Sequence, residues 1–137
     1  MTETTTANID IVLEGFDALN QRDRTRFEAV HHPEAVVHDV SGSVTGIQAI
    51  GDLEFSFFEA FADLSLSVED VLEKGKTVIA RWTFTGIHQG EFRGIAPTGS
   101  SVEIQAMGWF NVEDGLIAEV WLLSDRLGLL EQIGALD

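Results

Sequence analysis

Apolar residues recur at helical spacing in the first half of the chain and at alternate positions over most of the second. Ile9, Val12, Leu13, Phe16 and Leu19 mark an amphipathic helix from Ala7 to about Gln21 with one buried stripe. Asp23 is placed to cap a second short helix carrying Phe27 and Val30, which Pro33 closes. Val36–Val40 reads as a short strand with Val36, His38 and Val40 on one face, and Ser41-Gly42-Ser43 as a turn. From Gly46, the positions Ile47, Ile50, Glu54, Phe57, Phe58 and Phe61 predict another helix. Leu53 and Phe55 widen its apolar surface, so it should be buried on more than one side.

The rest alternates. Leu64, Leu66 and Val68 take turns with Ser65, Ser67 and Glu69, and a slip at Glu69-Asp70 suggests a bulge. Glu73-Lys74-Gly75-Lys76 turns the chain into a strand from Thr77 to Thr85, with Val78, Ala80, Trp82 and Phe84 sharing a face. A loop from Gly86 to Ser101 carries four glycines and Pro97, and Val102–Val112 forms the next strand. Asp114-Gly115 then starts a final strand and a short apolar segment that runs to Leu136. Strict alternation there puts Ile117, Glu119, Trp121, Leu123 and Asp125 on one face. Helices followed by antiparallel hairpins make an α+β layout, and 137 residues suit one domain over 1–137.

Composition narrows the chemistry. With no cysteine there are no disulfides, thiolate metal sites or Cys nucleophile. No HExxH spacing is present, so no metal is expected, and the loop glycines match neither a phosphate-binding nor a dinucleotide fingerprint. No apolar run reaches the ~20 residues of a membrane span. The first residues lack the pattern of a signal peptide, so a cytoplasmic location is expected. A net charge of −15, from 23 acidic and 8 basic side chains, disfavours nucleic acid and anionic lipid as partners.

Asp125 ends the last strand in phase with Trp121 and Leu123. A carboxylate held there against apolar neighbours suits a general acid or base. It equally suits the N-cap of the helical turn that follows. Among the histidines, His31 and His32 sit at a helix end before Pro33, where a positive ring answers the helix dipole. His38, between valines, should point inward, as a hydrogen-bonded core residue or as part of a site. His88 lies in the glycine-punctuated loop, at a pocket rim or on a lid. Trp82, Trp109 and Trp121 fall on three strands that can wall one cavity, or they simply fill the core.

The run RWTFTGIHQGEFRGIAPTG, followed by FNVEDGLIAEVWLLSDRLGLLEQIG, resembles the SnoaL-like polyketide cyclase family, also called predicted ester cyclases. The resemblance follows the element order of nearly the whole chain and is tightest from Val78 to Gly134. It implies a curved antiparallel sheet wrapped by N-terminal helices into a cone around an internal pocket, and dimers built sheet to sheet. It implies aldol-type ring closure without metal or cofactor on a small apolar carbonyl compound, and it matches Asp125 to the acid/base carboxylate. The family's histidine on the preceding strand has no counterpart in Ile104–Trp109. Gln105 and His38 are then the expected donors to an enolate oxygen, and Trp82, His88, Trp109, Trp121, Met107 and Phe57 the expected pocket. Tyrosine is absent, so the tyrosine-dependent isomerases and dehydratases of this fold are not models for the site. A non-catalytic binder of a small apolar ligand is the second reading, favoured by the missing histidine and by the lack of a second pocket carboxylate.

Only two of the cations are lysines, Lys74 and Lys76, a balance that fits either a protein working in brine or an ordinary acidic cytosolic one. If the surface is adapted to brine, the melting temperature should climb steadily from low to multimolar potassium chloride as screening relieves self-repulsion. A flat melting temperature across that range selects the ordinary alternative.

Overall fold

The structure, a computed structural model, describes residues 7–135, so the sequence expectation at Leu136 lies outside the described residues. Its elements run α1 (Asn8–Asn20), α2 (Arg24–Ala29), β1 (His31–Asp39), β2 (Gly42–Thr45), α3 (Ile47–Ala60), β3 (Phe61–Lys74), β4 (Thr77–His88), β5 (Ser101–Glu113), β6 (Leu116–Ser124) and α4 (Arg126–Gln132). The six strands form one curved, unclosed sheet in the order β2-β1-β6-β5-β4-β3. Its neighbours are antiparallel with one exception, because β1 pairs parallel with β6. The expectation of a wholly antiparallel sheet is corrected at that pair. Parallel neighbours need a long crossover, and α3 with β3–β5 supplies it.

Local chemistry accounts for the helices. α1 buries Ile11, Val12, Phe16 and Leu19. Asp23 caps α2 by accepting from the Arg26 N–H at 3.1 Å, as its sequence suggests. α2 ends earlier than expected, and β1 begins at His31, where the Ile117 N–H donates to the Val30 carbonyl at 2.8 Å. Asn20 reaches from the end of α1 to the edge strand β3, donating to the Leu66 carbonyl and accepting from its N–H, both at 2.9 Å. One amide side chain thus occupies backbone groups that would otherwise be an open edge.

Bulges give the sheet its curvature. One lies at Glu69, where the pairing steps from Val68↔Trp82 to Asp70↔Arg81, as the break in alternation suggests. Another lies between Ala62 and Ser65. A third, at Ala118, is hidden in the sequence: Asn111 pairs with Glu119 but Val112 with Ile117. β4 also runs on to His88, so the connecting loop is 89–100, shorter than Gly86–Ser101. That loop rests on the end of α3, where a Cβ on Gly90 would stand 2.0 Å from the Glu59 carbonyl oxygen. Only glycine allows the approach.

The helices cover the concave face, on which Val78, Ala80, Trp82, Phe84, Ile104 and Phe110 are buried. Each large apolar side chain buried this way contributes about 1.5–3 kcal/mol. The convex face keeps Met107 (50 % exposed), Trp109 (48 %), Trp121 (40 %) and Leu123 (66 %) in water. Among the described residues no helix is long and apolar enough to cross a membrane.

Candidate functional site

Helices and concave face enclose a cavity of about 170 Å³. Phe16, Phe27, Ile50, Phe57, Trp82 and Phe110 are among its apolar walls. The polar groups on its lining are His31, Asp39, Glu54, Arg93, Ser124 and Arg126. Arg93 and Ser124 are also exposed to solvent and so mark its mouth.

Glu54 stands on the apolar stripe of α3, one turn from Ile50 and from Phe57 and Phe58. Burial among these side chains, with a smaller push from the charge of Asp39, raises its carboxyl from 4.5 to about 7. Asp39 enters the same cavity from the end of β1. Its Oδ1 accepts from the Ser41 N–H at 2.6 Å, and its Oδ2 lies 4.0 Å from Arg126 Nη2. Arg126 also donates to the Ser41 hydroxyl, so α4 is tied to the β1–β2 hairpin beside the carboxylate. His31 donates from Nδ1 to the Phe27 carbonyl at 2.7 Å, since a carbonyl only accepts. That bond leaves Nε2 as a lone-pair acceptor. Burial holds the ring's pKa below its usual value although the carbonyl bond opposes this. Apolar walls, a protonated carboxyl, an oriented carboxylate and a neutral imidazole together can move a proton within a dry space.

Arg93 and Gly94 form a two-residue turn at the mouth, with φ of 49° and 82°. Phe92 and Ile95 close it through paired backbone hydrogen bonds of 3.0 and 2.8 Å. A left-handed conformation costs an ordinary residue about 1 kcal/mol, and Asn or Gly is the usual occupant.

Of the residues nominated from sequence, Trp82 and Phe57 line the cavity and the others lie elsewhere. Trp109, Met107 and Gln105 alternate outward along β5, opposite to Ala106 and Phe110. The extra residue at Ala118 flips the phase of β6, so Ile117 and Val120 both face in while Trp121 and Leu123 face out. His38 follows them to the convex face, stacked on Trp121 at 5.2 Å, with Nε2 2.7 Å from Glu119 and Nδ1 2.7 Å from the Ser43 hydroxyl. The inward residues of β1 are Val37 and Asp39 instead. His88 is fully enclosed at the end of β4 behind the cavity, against Phe61 and bonded through Nδ1 to the Thr98 N–H at 3.3 Å. Asp125 is exposed and caps α4, accepting from the Gly128 N–H at 2.8 Å. The sequence did carry one signal for the site it obscured: a single acid, Glu54, within the apolar stripe of α3.

Such a cone, hollow and with titratable groups inside, defines a class of small-molecule-binding α+β proteins. The chain belongs to the SnoaL-like polyketide cyclase family, whose model matches residues 10–133. Among solved structures it is similar to TsrD from Streptomyces laurentii, with 30% identity over 98% of this chain and 100% of that one and a TM-score of 0.86. It is also similar to AclR from Streptomyces galilaeus, a proposed hydroxylase, with 28% identity, coverage of 95% and 97%, and a TM-score of 0.85. IdmH from Streptomyces antibioticus, a proposed polyketide cyclase, matches with 25% identity, coverage of 94% and 99%, and a TM-score of 0.85. No curated protein matches the chain.

The raised Glu54 carboxyl predicts a pH-dependent stability. Below its ordinary value of 4.5 the group is protonated folded and unfolded, and costs nothing. From there to about 7 only the unfolded chain releases the proton, so stability falls as pH rises, and the loss is constant above. Glu54→Gln removes this titration. Its melting temperature should gain on the wild type steadily between about pH 5 and pH 7 and keep that margin at pH 8. An offset that does not change with pH would show that the carboxyl is not held protonated.

Proposed function

We infer that this protein is an enzyme of the cyclase and isomerase type, moving a proton on a small, largely apolar carbonyl compound by aldol-type chemistry. It would work in the cytoplasm without metal or cofactor. The observation that carries this reading is the Glu54 carboxyl, kept protonated to about neutral pH inside a cavity walled mostly by apolar side chains. Glu54 serves as the general acid, giving its proton to the carbonyl oxygen as negative charge develops there. Asp39, steadied by the Ser41 N–H and Arg126, removes the proton α to the carbonyl. Trp82 and Phe57 hold the apolar body. Asp125 acts indirectly, by capping the helix that brings Arg126 to Asp39. Family likeness supports the fold and the pocket, while the relatives, proposed as cyclase in one case and hydroxylase in another, leave the reaction to the site.

The proton-transfer step can be read directly as deuterium exchange at the α-carbon of a small ketone such as cyclohexanone, followed by NMR. Glu54→Gln and Asp39→Asn should each slow the catalysed exchange ~10²-fold or more, the usual scale for one acid/base group. Asp125→Asn should keep the rate, because Asn caps a helix about as well as Asp, whereas Asp125→Ala should lose about 1 kcal/mol of stability. Since Glu54 acts in its neutral form, the rate should fall as pH rises through about 7. Full activity in Glu54→Gln removes the acid from the mechanism. No catalysis by the wild type, with the ketone bound, makes the protein a non-catalytic binder.

We further place a second copy of the chain on the convex face. Met107, Trp109, Trp121 and Leu123 expose there an apolar surface that a homodimer would cover. Light scattering should then give twice the monomer mass of 15.0 kDa, and Trp109→Glu should return the monomer.

A further inference from the structure

We propose that the small molecule taken by this cavity is a monocarboxylate with an apolar body of about one ring, and that Arg93 at the mouth reads the carboxylate. This rests on the cavity being the substrate site, and it adds the chemical class of what enters.

Three independent observations carry it. The first is charge. Arg24, Arg26, Lys76 and Arg126 each face a carboxylate, and Arg126 is held by Asp39 and Ser41. Arg93 has no ion-pair or hydrogen-bond partner among the described residues, in a chain with a net charge of −15. Of the cavity's two guanidinium groups it alone is uncommitted. Its charge lies 5.5 Å from the centre of the Phe92 ring, itself buried and part of the cavity wall. That contact fixes a planar donor fork at the point where a ligand passes from water to the apolar interior.

Backbone strain is the second. Arg93 occupies the first position of a turn whose φ of 49° favours Asn or Gly. A long cationic side chain there is a local departure from turn chemistry, placed at the rim of a cavity.

Size is the third. The cavity of about 170 Å³ is close to the roughly 150 Å³ of an engineered cavity that benzene occupies. One ring and a short chain fit; a fused three- or four-ring body does not. A single free guanidinium matches the two oxygens and single charge of a carboxylate. A phosphate dianion would bring two charges toward the Asp39 carboxylate with only that one uncommitted cation to offset them. Phe57, one helical turn from Glu54 on α3, packs on Phe92 with ring centroids 5.8 Å apart, so an aromatic wall links the rim to the acid.

The test is binding, read by calorimetry, so it needs no turnover. 3-Phenylpropanoate should bind the wild type at least ~10-fold more tightly than its neutral amide, the scale of one charge-assisted hydrogen-bonded pair. Arg93→Gln should erase that difference and leave the affinity for the amide unchanged. Arg93→Gly should erase it too while melting no lower than the wild type, since φ of 49° suits glycine. Glu54→Gln should keep the preference, which separates this assignment from the proton-transfer reading. An amide that binds as well as the carboxylate, a preference that survives Arg93→Gln, tighter binding of 2-phenylethyl phosphate, or tighter binding of an anthracene-ring carboxylate would each overturn it.

Discussion

The period of two along a strand is the constraint on which the rest of this molecule depends, and one residue, Ala118, decides how it applies. Without the bulge there, Ile117 and Trp121 would share a face, and the outer part of β6 would present Trp121, Leu123 and Asp125 to the interior. With it, Ile117 and Val120 both go inside, and Leu122 joins the cavity wall. Strand β1 pairs with β6 before that point at His31↔Ile117 and, after its own irregularity, beyond it at Val36↔Glu119 through His38↔Trp121. The flip therefore passes to β1, sending His38 out onto Trp121 and Asp39 in. One slipped residue thus chooses between two sets of polar groups for the cavity.

What that choice installs is a carboxylate opposite a carboxyl. Asp39 comes from the sheet and Glu54 from the helix laid over it. Burial, and to a smaller degree the charge of Asp39, keeps the proton on Glu54 until about pH 7. Asp39 has what Glu54 lacks, a backbone N–H and a guanidinium close by. The two acids differ in their surroundings: Asp39 is served by the hairpin and α4, while Glu54 shares the apolar stripe of α3 with Phe57 and Phe58. The cap at Asp125 belongs to this arrangement, since it starts the helix from which Arg126 reaches Asp39.

Much of the fold was legible in the sequence. The spacing of Val12, Phe16 and Leu19, the cap at Asp23 and the stripe from Ile47 to Phe58 give α1, α2 and α3, while Val78 to Phe84 gives the concave face of β4. These are local signals, and the tertiary structure respects them. The site was less legible for a specific physical reason. Alternation says which residues share a face, not which face is inside, and a slip leaves no mark when both neighbours are apolar. The bulge at Glu69 shows because two acids interrupt the pattern, whereas Ala118 lies in Leu116-Ile117-Ala118, where either phase looks acceptable. The parallel pairing of β1 with β6 joins segments about eighty residues apart, and nothing local announces it. Glu54 could have been found, since an acid on an otherwise apolar helical stripe is a buried charge needing a reason.

Relatives of this cone are proposed as a hydroxylase in one case and a polyketide cyclase in another, and what distinguishes this chain is sought in the few polar groups that reach its cavity. They fall at two levels. Asp39 and Glu54 lie inside, among mostly apolar side chains, where Glu54 holds its proton to about pH 7. Arg93 stands at the rim, in a turn whose geometry it does not suit, on the wall residue Phe92. A strongly acidic protein would repel an anion on approach, and the Asp39 carboxylate inside would repel it again. A cation at the mouth lets an anionic end stop there while the apolar remainder goes on toward the acids. The charge that makes the interior reactive thereby also fixes which way round a ligand enters.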